Sequence, residues 1–306
     1  MTHLNRFSLS LLLAIALIGA SPALGQRAPA VTNTSPAVTL SQAPAASDPA
    51  TATTAPAQEP DDPDLDPNAA QPDFTLATLP TNLRLPVHKM SFRLTHRFGR
   101  PLGAGSFGDL AGDLFGLDSG AVIGLDFRYG LIKGGQIGIY RTSNKTIQFY
   151  GQYEVASQKN FPLGISAVVN IDGTDNFQDS YSPGLSAVIS RELSDRGALY
   201  LEPAWVNNSN PDPAELVDDN STFLLGLGAR FRLLKNTYVF AEGSPRVGGY
   251  GPGDALISFG LEQRAGGHMF QLNFSNGLGT TLAQVARGAS NSSDWYLGFN
   301  LSRKFF

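Results

Sequence analysis

A glycine-rich stretch, GAGSFG from Gly103 to Gly108, has the spacing of a dinucleotide-binding loop, and Asp126 follows about 20 residues later. In that class of site, the loop opens a helix that returns to a parallel strand. The next residues, DLAGDLFGLDSG, are too few and too interrupted by glycine to form such a helix. We therefore interpret the motif as a surface loop and predict no cofactor.

The histidines outside the first residues of the chain are His88, His96 and His268. Their spacing matches no metal-binding pair, so we predict no metal site. His96 and Ser182 are the base and nucleophile that a serine hydrolase could use at one rim of a fold. No nucleophile elbow or triad order accompanies them, so we predict no catalytic residues and keep a hydrolase as the less favoured alternative.

Two acidic segments offer oxygen ligands for Ca²⁺ or for the divalent cations that bridge lipopolysaccharide. They are NPDPAELVDD, residues 210–219, and DGTDNFQD, residues 172–179, and we favour solvated loop charge for both. Ligand contacts are instead predicted in the first and last loops, at Asp113, Asp118 and Arg287.

These residues are separated by segments that alternate apolar and polar side chains, the pattern of half-buried strands. One short helix is predicted at Thr280 to Gly288, with Thr280 or Thr281 as its cap and Gly288 as its stop, placed as a small lid. Twelve strands are predicted, at about residues 89–98, 120–129, 135–142, 145–156, 162–171, 181–192, 197–207, 221–234, 236–244, 254–265, 267–275 and 293–304.

The connections between these strands alternate in length. Those after the second, fourth, sixth, eighth and tenth strands are tight, as in SDRG and LLKN, whereas most of the others are long. Only the connection around TSNK breaks the alternation. All short turns then lie at one end and the long loops at the other, as in outer-membrane barrels. A soluble sandwich has no reason to keep that order.

Each strand has one apolar face and one polar, glycine-rich face, and charges of both signs fall on the polar face. A charge facing lipid would cost about 2–4 kcal/mol at the bilayer midplane, so these side chains must point into a lumen. A lumen with this many charges can pair them and is filled or narrow. The predicted lumen charges are Arg93, Arg97, Asp126, Arg128, Glu154, Glu202, Arg230, Arg232, Glu262 and Arg264.

Aromatic residues near the strand ends are typical of the girdles at membrane interfaces. The candidates are Tyr129, Tyr153, Trp205, Trp295 and Tyr296. In the last strand, Trp295, Leu297, Phe299 and Leu301 are in phase with Phe305, whereas the chain ends on Phe306. A bulge or one overhanging residue would reconcile the two.

The first 25 residues have the features of a secretory signal peptide: Arg6, an apolar run over residues 7–19, and Ala23-Leu24-Gly25 before Gln26. Residues 26–80 are rich in Pro, Ala and Thr and are predicted to be a disordered periplasmic tether. From Thr81 onward there are 20 Lys and Arg against 19 Asp and Glu. No basic stripe indicates a nucleic-acid partner, and the chain contains no cysteine.

Four motifs resemble an uncharacterised bacterial outer-membrane β-barrel family, a domain of unknown function. They are LTHRFGRP (94–101), GDLFGLDSGA (112–121), FRYGL (127–131) and GIYRTSNKT (138–146), and the resemblance covers about residues 85–306. It implies a barrel inserted into the outer membrane and assigns no substrate or catalytic residue.

We therefore predict an all-β fold, a closed antiparallel transmembrane barrel of about twelve strands over residues 81–306, in the cell outer membrane. The expected partners are outer-membrane lipid, lipopolysaccharide and the barrel-assembly machinery. The expected function is a narrow channel or transporter for a small polar solute. The alternatives are a structural or binding role without transport and, less favoured, the hydrolase.

Overall fold

The structure is a computed structural model, and it describes residues 70–211 and 219–305. The predicted signal peptide, residues 26–69 of the predicted tether, loop residues 212–218 and Phe306 lie outside the described residues.

The chain forms one antiparallel sheet that closes on itself. Its strand order is β10-β8-β7-β6-β5-β4-β3-β2-β1-β13-β12-β11-β9, and the additional β8–β9 pairing closes the barrel. The strands are β1 Met90–Phe98, β2 Ala121–Ile132, β3 Gly135–Thr142, β4 Ile147–Ala156, β5 Gly164–Gly173, β6 Tyr181–Glu192, β7 Gly197–Asn207, β8 Ser221–Leu234, β9 Thr237–Ser244, β10 Arg246–Gly249, β11 Leu256–Ala265, β12 His268–Ser275 and β13 Tyr296–Phe305.

The prediction of a closed barrel of about twelve strands is confirmed. Strands β9 and β10 both pair with β8 and together form one position in the wall, with Pro245 between them. Proline has no N–H to donate to a ladder, so an interruption at this residue is expected. The β11 strand pairs with β9 alone on that side.

The wall follows the alternation of its side chains. In β8, Phe223 and Leu227 are exposed on the outside, whereas Thr222 and Arg230 on the opposite face are fully buried. The same alternation in β2 and β11 places Phe127 and Phe259 outside. An outer surface with this much exposed apolar area is stable only against an apolar medium.

The two ends of the barrel differ. The connections after β2, β4, β6, β8 and β11 are short and lie at what we call the short-turn end. Met90 pairs with both Tyr129 and Phe305, so β1 begins and β13 ends there as well. The long β1–β2, β7–β8 and β12–β13 loops lie at the opposite end, the loop end, together with the short β3–β4 connection and a β5–β6 connection equal in length to β4–β5.

Residues 70–86, which we call the lumen hairpin, fold inside the barrel. Phe74, Leu76, Leu79, Leu83 and Leu85 are all buried. The Leu76 N–H donates to the Leu79 carbonyl at 2.8 Å, which closes the turn at the tip of the hairpin. The predicted boundary between tether and barrel at residue 81 was therefore too late, because residues 70–80 belong to the folded unit.

Two short helices lie in the loops: α1 Phe107–Gly112 in the β1–β2 loop and α2 Leu282–Arg287 in the β12–β13 loop. A 3-10 segment, Leu114–Ser119, follows α1. The predicted helix at residues 280–288 corresponds to α2, with Thr281 as its N-cap and Gly288 as its C-cap. None of the helices in the described residues is long and apolar enough to span a membrane.

Candidate functional site

The tip of the lumen hairpin is held by one carboxylate. The backbone N–H groups of Ala77, Thr78 and Leu79 donate to the Glu242 carboxylate at 3.0–3.1 Å. The Thr78 hydroxyl donates to the same group at 2.5 Å. Hydrogen bonds to an ionised acceptor are roughly twice as strong as neutral ones, so Glu242 is the principal polar anchor of the tip.

Two arginines hold the backbone carbonyls of the hairpin. Arg93 donates to the Leu76 carbonyl at 2.6 Å and pairs with Asp73 at 3.4 Å. Arg230 donates to the Thr75 carbonyl at 2.7 Å. Arg230 also pairs with Glu262 at 2.7 Å, and both of these side chains are fully buried. Arg93 of the wall therefore binds the hairpin at two points, whereas Arg230 links the hairpin to the wall carboxylate Glu262.

The base of the hairpin is fixed near the short-turn end. The Asn82 amide donates to the Gly164 carbonyl at 3.0 Å and to the Ser190 hydroxyl at 2.8 Å. Arg84 pairs with Glu154 at 3.0 Å. These contacts join the hairpin to β4, β5 and β6 before the chain enters β1.

At the loop end, helix α2 folds into the lumen. Ala283 and Ala286 are buried against Ala204, Val206 and Leu224 of the wall. The Ala283 N–H donates to the Asp172 carboxylate at 3.1 Å. The lumen is therefore entered by the hairpin from one end and by α2 from the other.

A cavity of about 80 Å³ separates the hairpin tip from α2. It has room for roughly five water molecules. Within it, Arg128 pairs with Asp126 at 3.5 Å, and the Tyr150 hydroxyl donates to Asp126 at 2.6 Å. Other lining residues include Leu79, Arg93, Val168, Glu202, Leu224 and Val285.

The predicted lumen charges fall into two groups. Seven are buried inside the barrel: Arg93, Arg97, Asp126, Arg128, Glu202, Arg230 and Glu262. Three are only half-buried and lie towards the short-turn end: Glu154, Arg232 and Arg264. Arg232 pairs there with Asp195 of the β6–β7 turn. Four of the predicted lumen charges line the cavity: Arg93, Asp126, Arg128 and Glu202.

The predicted interface aromatics lie towards both ends of the barrel. Tyr129 and Tyr153 are towards the short-turn end, whereas Trp205, Trp295 and Tyr296 are towards the loop end. All five are exposed or half-buried.

The three predicted ligand contacts lie in the first and last loops and have different surroundings. Asp113 pairs with Arg100 within the first loop. Asp118 is exposed. The Arg287 guanidinium donates to the Ser209 carbonyl at 3.0 Å, which ties α2 to the β7–β8 loop.

The other sequence motifs do not form a catalytic centre. His96 stacks on Phe299 at 4.8 Å between ring centroids, on the outer face of β1. Ser182 is on β6, buried on the inner face, and its hydroxyl donates to the Asn208 carbonyl. GAGSFG leads into the six-residue helix α1 between antiparallel strands.

Sequence reasoning missed three carboxylates that organise the lumen. Asp73 fell within the predicted tether, Asp172 was assigned to an acidic loop, and Glu242 was not singled out. Asp172 is instead buried in β5, facing α2. For Glu242 a signal existed, because it lies on the polar face of β9 between Ala241 and Gly243.

A closed barrel with an apolar outer face and a buried, charged lumen defines a membrane β-barrel protein. Residues 73–305 match the family described as "Membrane bound beta barrel domain (DUF5777)", and the chain belongs to this family. The resemblance to a barrel family of unknown function is thereby confirmed. A comparison with curated proteins finds no match.

Solved structures that are similar to this chain include several membrane barrels. A NanC porin is 6% identical with a TM-score of 0.46, over 71% of this chain and 99% of that chain. Outer membrane phospholipase A from Escherichia coli is 13% identical with a TM-score of 0.40, over 80% and 94%. LpxR from Salmonella typhimurium is 13% identical with a TM-score of 0.36, over 71% and 99%.

Proposed function

We propose that the protein is an outer-membrane barrel whose lumen is a narrow, gated passage for a small polar solute. The short-turn end faces the periplasm and the long loops face outward, the orientation usual for such barrels. One observation carries the proposal: a cavity lined by Arg93, Arg128 and Glu202 lies between two segments that enter from opposite ends.

The lumen hairpin is the gate in this proposal. It contributes no strand to the wall, so it can leave the lumen without breaking the barrel. Polar bonds to Glu242, Arg93 and Arg230 hold it, together with apolar packing of its tip on the wall. Water can replace the polar bonds once the hairpin moves, and the wall stays paired, so opening costs less than unfolding.

The test is single-channel conductance in planar bilayers. The wild-type protein should be closed most of the time, and Glu242→Ala should raise the open probability because the tip loses its anchor. Asp195→Ala is the matched control, since it removes a carboxylate that pairs with Arg232 at the short-turn end. The proposed passage is rejected if two folded variants show no conductance. These variants are Glu242→Ala and one in which a glycine-serine linker replaces the hairpin tip.

A structural or binding role without transport is the second candidate. The entry of protein segments into the lumen from both ends favours it. The silent result in the conductance experiment would support this role. The hydrolase is not supported, because His96 and Ser182 lie on different faces of strands that are not neighbours. Hydrolysis of a lipid or peptide that His96→Ala abolishes in a folded barrel would reinstate it.

A further inference from the structure

Glu202 differs from the other charged residues that line the cavity. Arg93 pairs with Asp73 at 3.4 Å and Arg128 pairs with Asp126 at 3.5 Å. The Glu202 side chain is only 2% exposed, and no group among the described residues donates a hydrogen bond to its Oε1. Glu202 is thus the carboxylate that the cavity leaves uncompensated.

The surroundings of Glu202 are mainly apolar. Opposite it on β8 is Gly226, and a Cβ at that glycine would lie 3.0 Å from the Glu202 Cβ and 3.1 Å from the Leu79 side chain. The wall beside it contributes Ala204 and Leu224 to the cavity. An unpaired carboxylate in such a place is costly, because water no longer solvates it and no partner replaces the water.

A bound cation would remove this cost, and the cavity restricts which cation fits. Its volume of about 80 Å³ admits roughly five atoms the size of a water oxygen. Hard metal cations such as Ca²⁺ require six to eight oxygen ligands, and the other carboxylate that lines the cavity, Asp126, is already held by Arg128 and Tyr150. An ammonium head needs few acceptors and can carry a short apolar body.

We propose that the cavity binds a small organic cation, a short alkylammonium. Its ammonium group lies against the Glu202 carboxylate, and its carbon chain packs on Val168, Ala204 and Leu224. The inference deepens the proposed function by naming the class of solute that the passage holds.

The test uses the full-length protein folded from urea into detergent micelles in the presence of each compound, so the compound need not cross a closed lumen. The probe is n-propylammonium, and 1-propanol and propanoate are its neutral and anionic counterparts of similar size. The dependence of the thermal unfolding midpoint on concentration gives an apparent dissociation constant. Wild type is compared with Glu202→Gln. The control is Glu154→Gln, the same change at a carboxylate that pairs with Arg84 and lies outside the cavity.

We expect propylammonium to stabilise the wild type and Glu154→Gln, with a dissociation constant at least tenfold weaker in Glu202→Gln. Propanol and propanoate should have no comparable effect. Without any compound, Glu202→Gln should unfold at a higher temperature than the wild type, because a lone buried charge has been removed.

The proposal is overturned if propylammonium leaves the wild type unchanged, which would mean that Glu202 is neutral and needs no cation. Equal binding to Glu202→Gln, or stabilisation by propanoate instead of propylammonium, also overturns it. Binding without conductance in Glu242→Ala would keep the cation site and reject the passage. Conductance without binding would keep the passage and reject the cation site.

Discussion

The lumen hairpin and helix α2 enter the same lumen from opposite ends, and they are held in different ways. The hairpin is bound through its backbone by the charged groups of Glu242, Arg93 and Arg230, and its apolar tip also packs on the wall. Helix α2 is bound mainly by packing of Ala283 and Ala286 on apolar wall residues, with Asp172 at its first turn. Water can replace polar contacts once a segment moves, whereas it cannot replace apolar packing, so the two segments differ in the share of their contacts that is polar. The hairpin is therefore the better candidate for the moving part and α2 for the fixed part.

The largest expected effect concerns the buried pair beneath the hairpin. Arg230→Met leaves Glu262 as an unpaired, fully buried carboxylate and removes a bond to the hairpin, so the free energy of unfolding should fall by about 3–5 kcal/mol. Urea titration of the folded barrel in detergent measures this change. The double variant with Glu262→Leu should regain most of the loss.

Arg232→Met is the matched control for that variant, because Arg232 pairs with a half-exposed Asp195 at the short-turn end. Its cost should stay below about 1 kcal/mol. Equal costs for the two arginines would show that the hairpin is not seated on the Arg230–Glu262 pair.

Loss of packing should release α2 and leave the hairpin in place. Leu224→Ala removes a buried side chain beneath α2 and should cost about 2–5 kcal/mol. Since the chain has no cysteine of its own, Ala286→Cys and Ala77→Cys report on α2 and on the hairpin separately. Maleimide labelling should accelerate at position 286 and stay unchanged at position 77.

Leu225→Ala supplies the comparison for this variant, because the next residue of β8 faces the outside of the barrel. It should change neither labelling rate. Acceleration at both positions in Leu224→Ala would mean that the two segments move together.

The converse experiment removes the polar anchor of the hairpin. Glu242→Ala takes away the acceptor of three backbone N–H groups at the tip. Labelling of Ala77→Cys should rise at least about tenfold, since such bonds are each worth about 1 kcal/mol or more. Labelling at Ala286→Cys should not change. A rise at position 286 alone would reverse our assignment of the moving part.

The smallest effect lies outside the lumen, in the first loop. The hydroxyl of Ser106 donates to Asp109, and with the Ser106 N–H it lowers the pKa of the Asp109 carboxyl. Because the pKa in the folded loop lies below that of the unfolded chain, this contact stabilises α1 above about pH 4 and is lost as the pH falls further. Amide exchange in α1 should therefore accelerate in acid, and Ser106→Ala should remove that dependence. Exchange in the hairpin should serve as an unaffected reference.

The wall and helix α2 could be predicted from the sequence, whereas the lumen hairpin could not. The wall was predictable, because a two-residue period and alternating connection lengths are local signals. The bounds of the twelve predicted strands differ from the structure by three residues at most, whereas β10 lies in a segment predicted as a loop. Helix α2 was predictable from Thr281 and Gly288, which mark its ends.

The hairpin was not predicted, because its first residues follow a Pro-rich and Ala-rich stretch and were assigned to it by composition. Phe74, Leu76 and Leu79 are the signal that was available, since a solvated tether has no use for them. The sequence also could not predict which charged side chains pair with each other inside the lumen. Glu202 and Glu262 have similar sequence surroundings, and only the barrel brings Arg230 to one of them.

The position of the hairpin can be tested by one disulfide. The Asn82 Cβ would lie 3.7 Å from a Cβ placed at Gly164, within the range that disulfides require. Asn82→Cys with Gly164→Cys should therefore cross-link in the folded, membrane-inserted barrel, which shows as a mobility difference between reduced and oxidised protein. Two free thiols that both react with maleimide in the folded barrel would contradict the placement of residues 70–86 in the lumen.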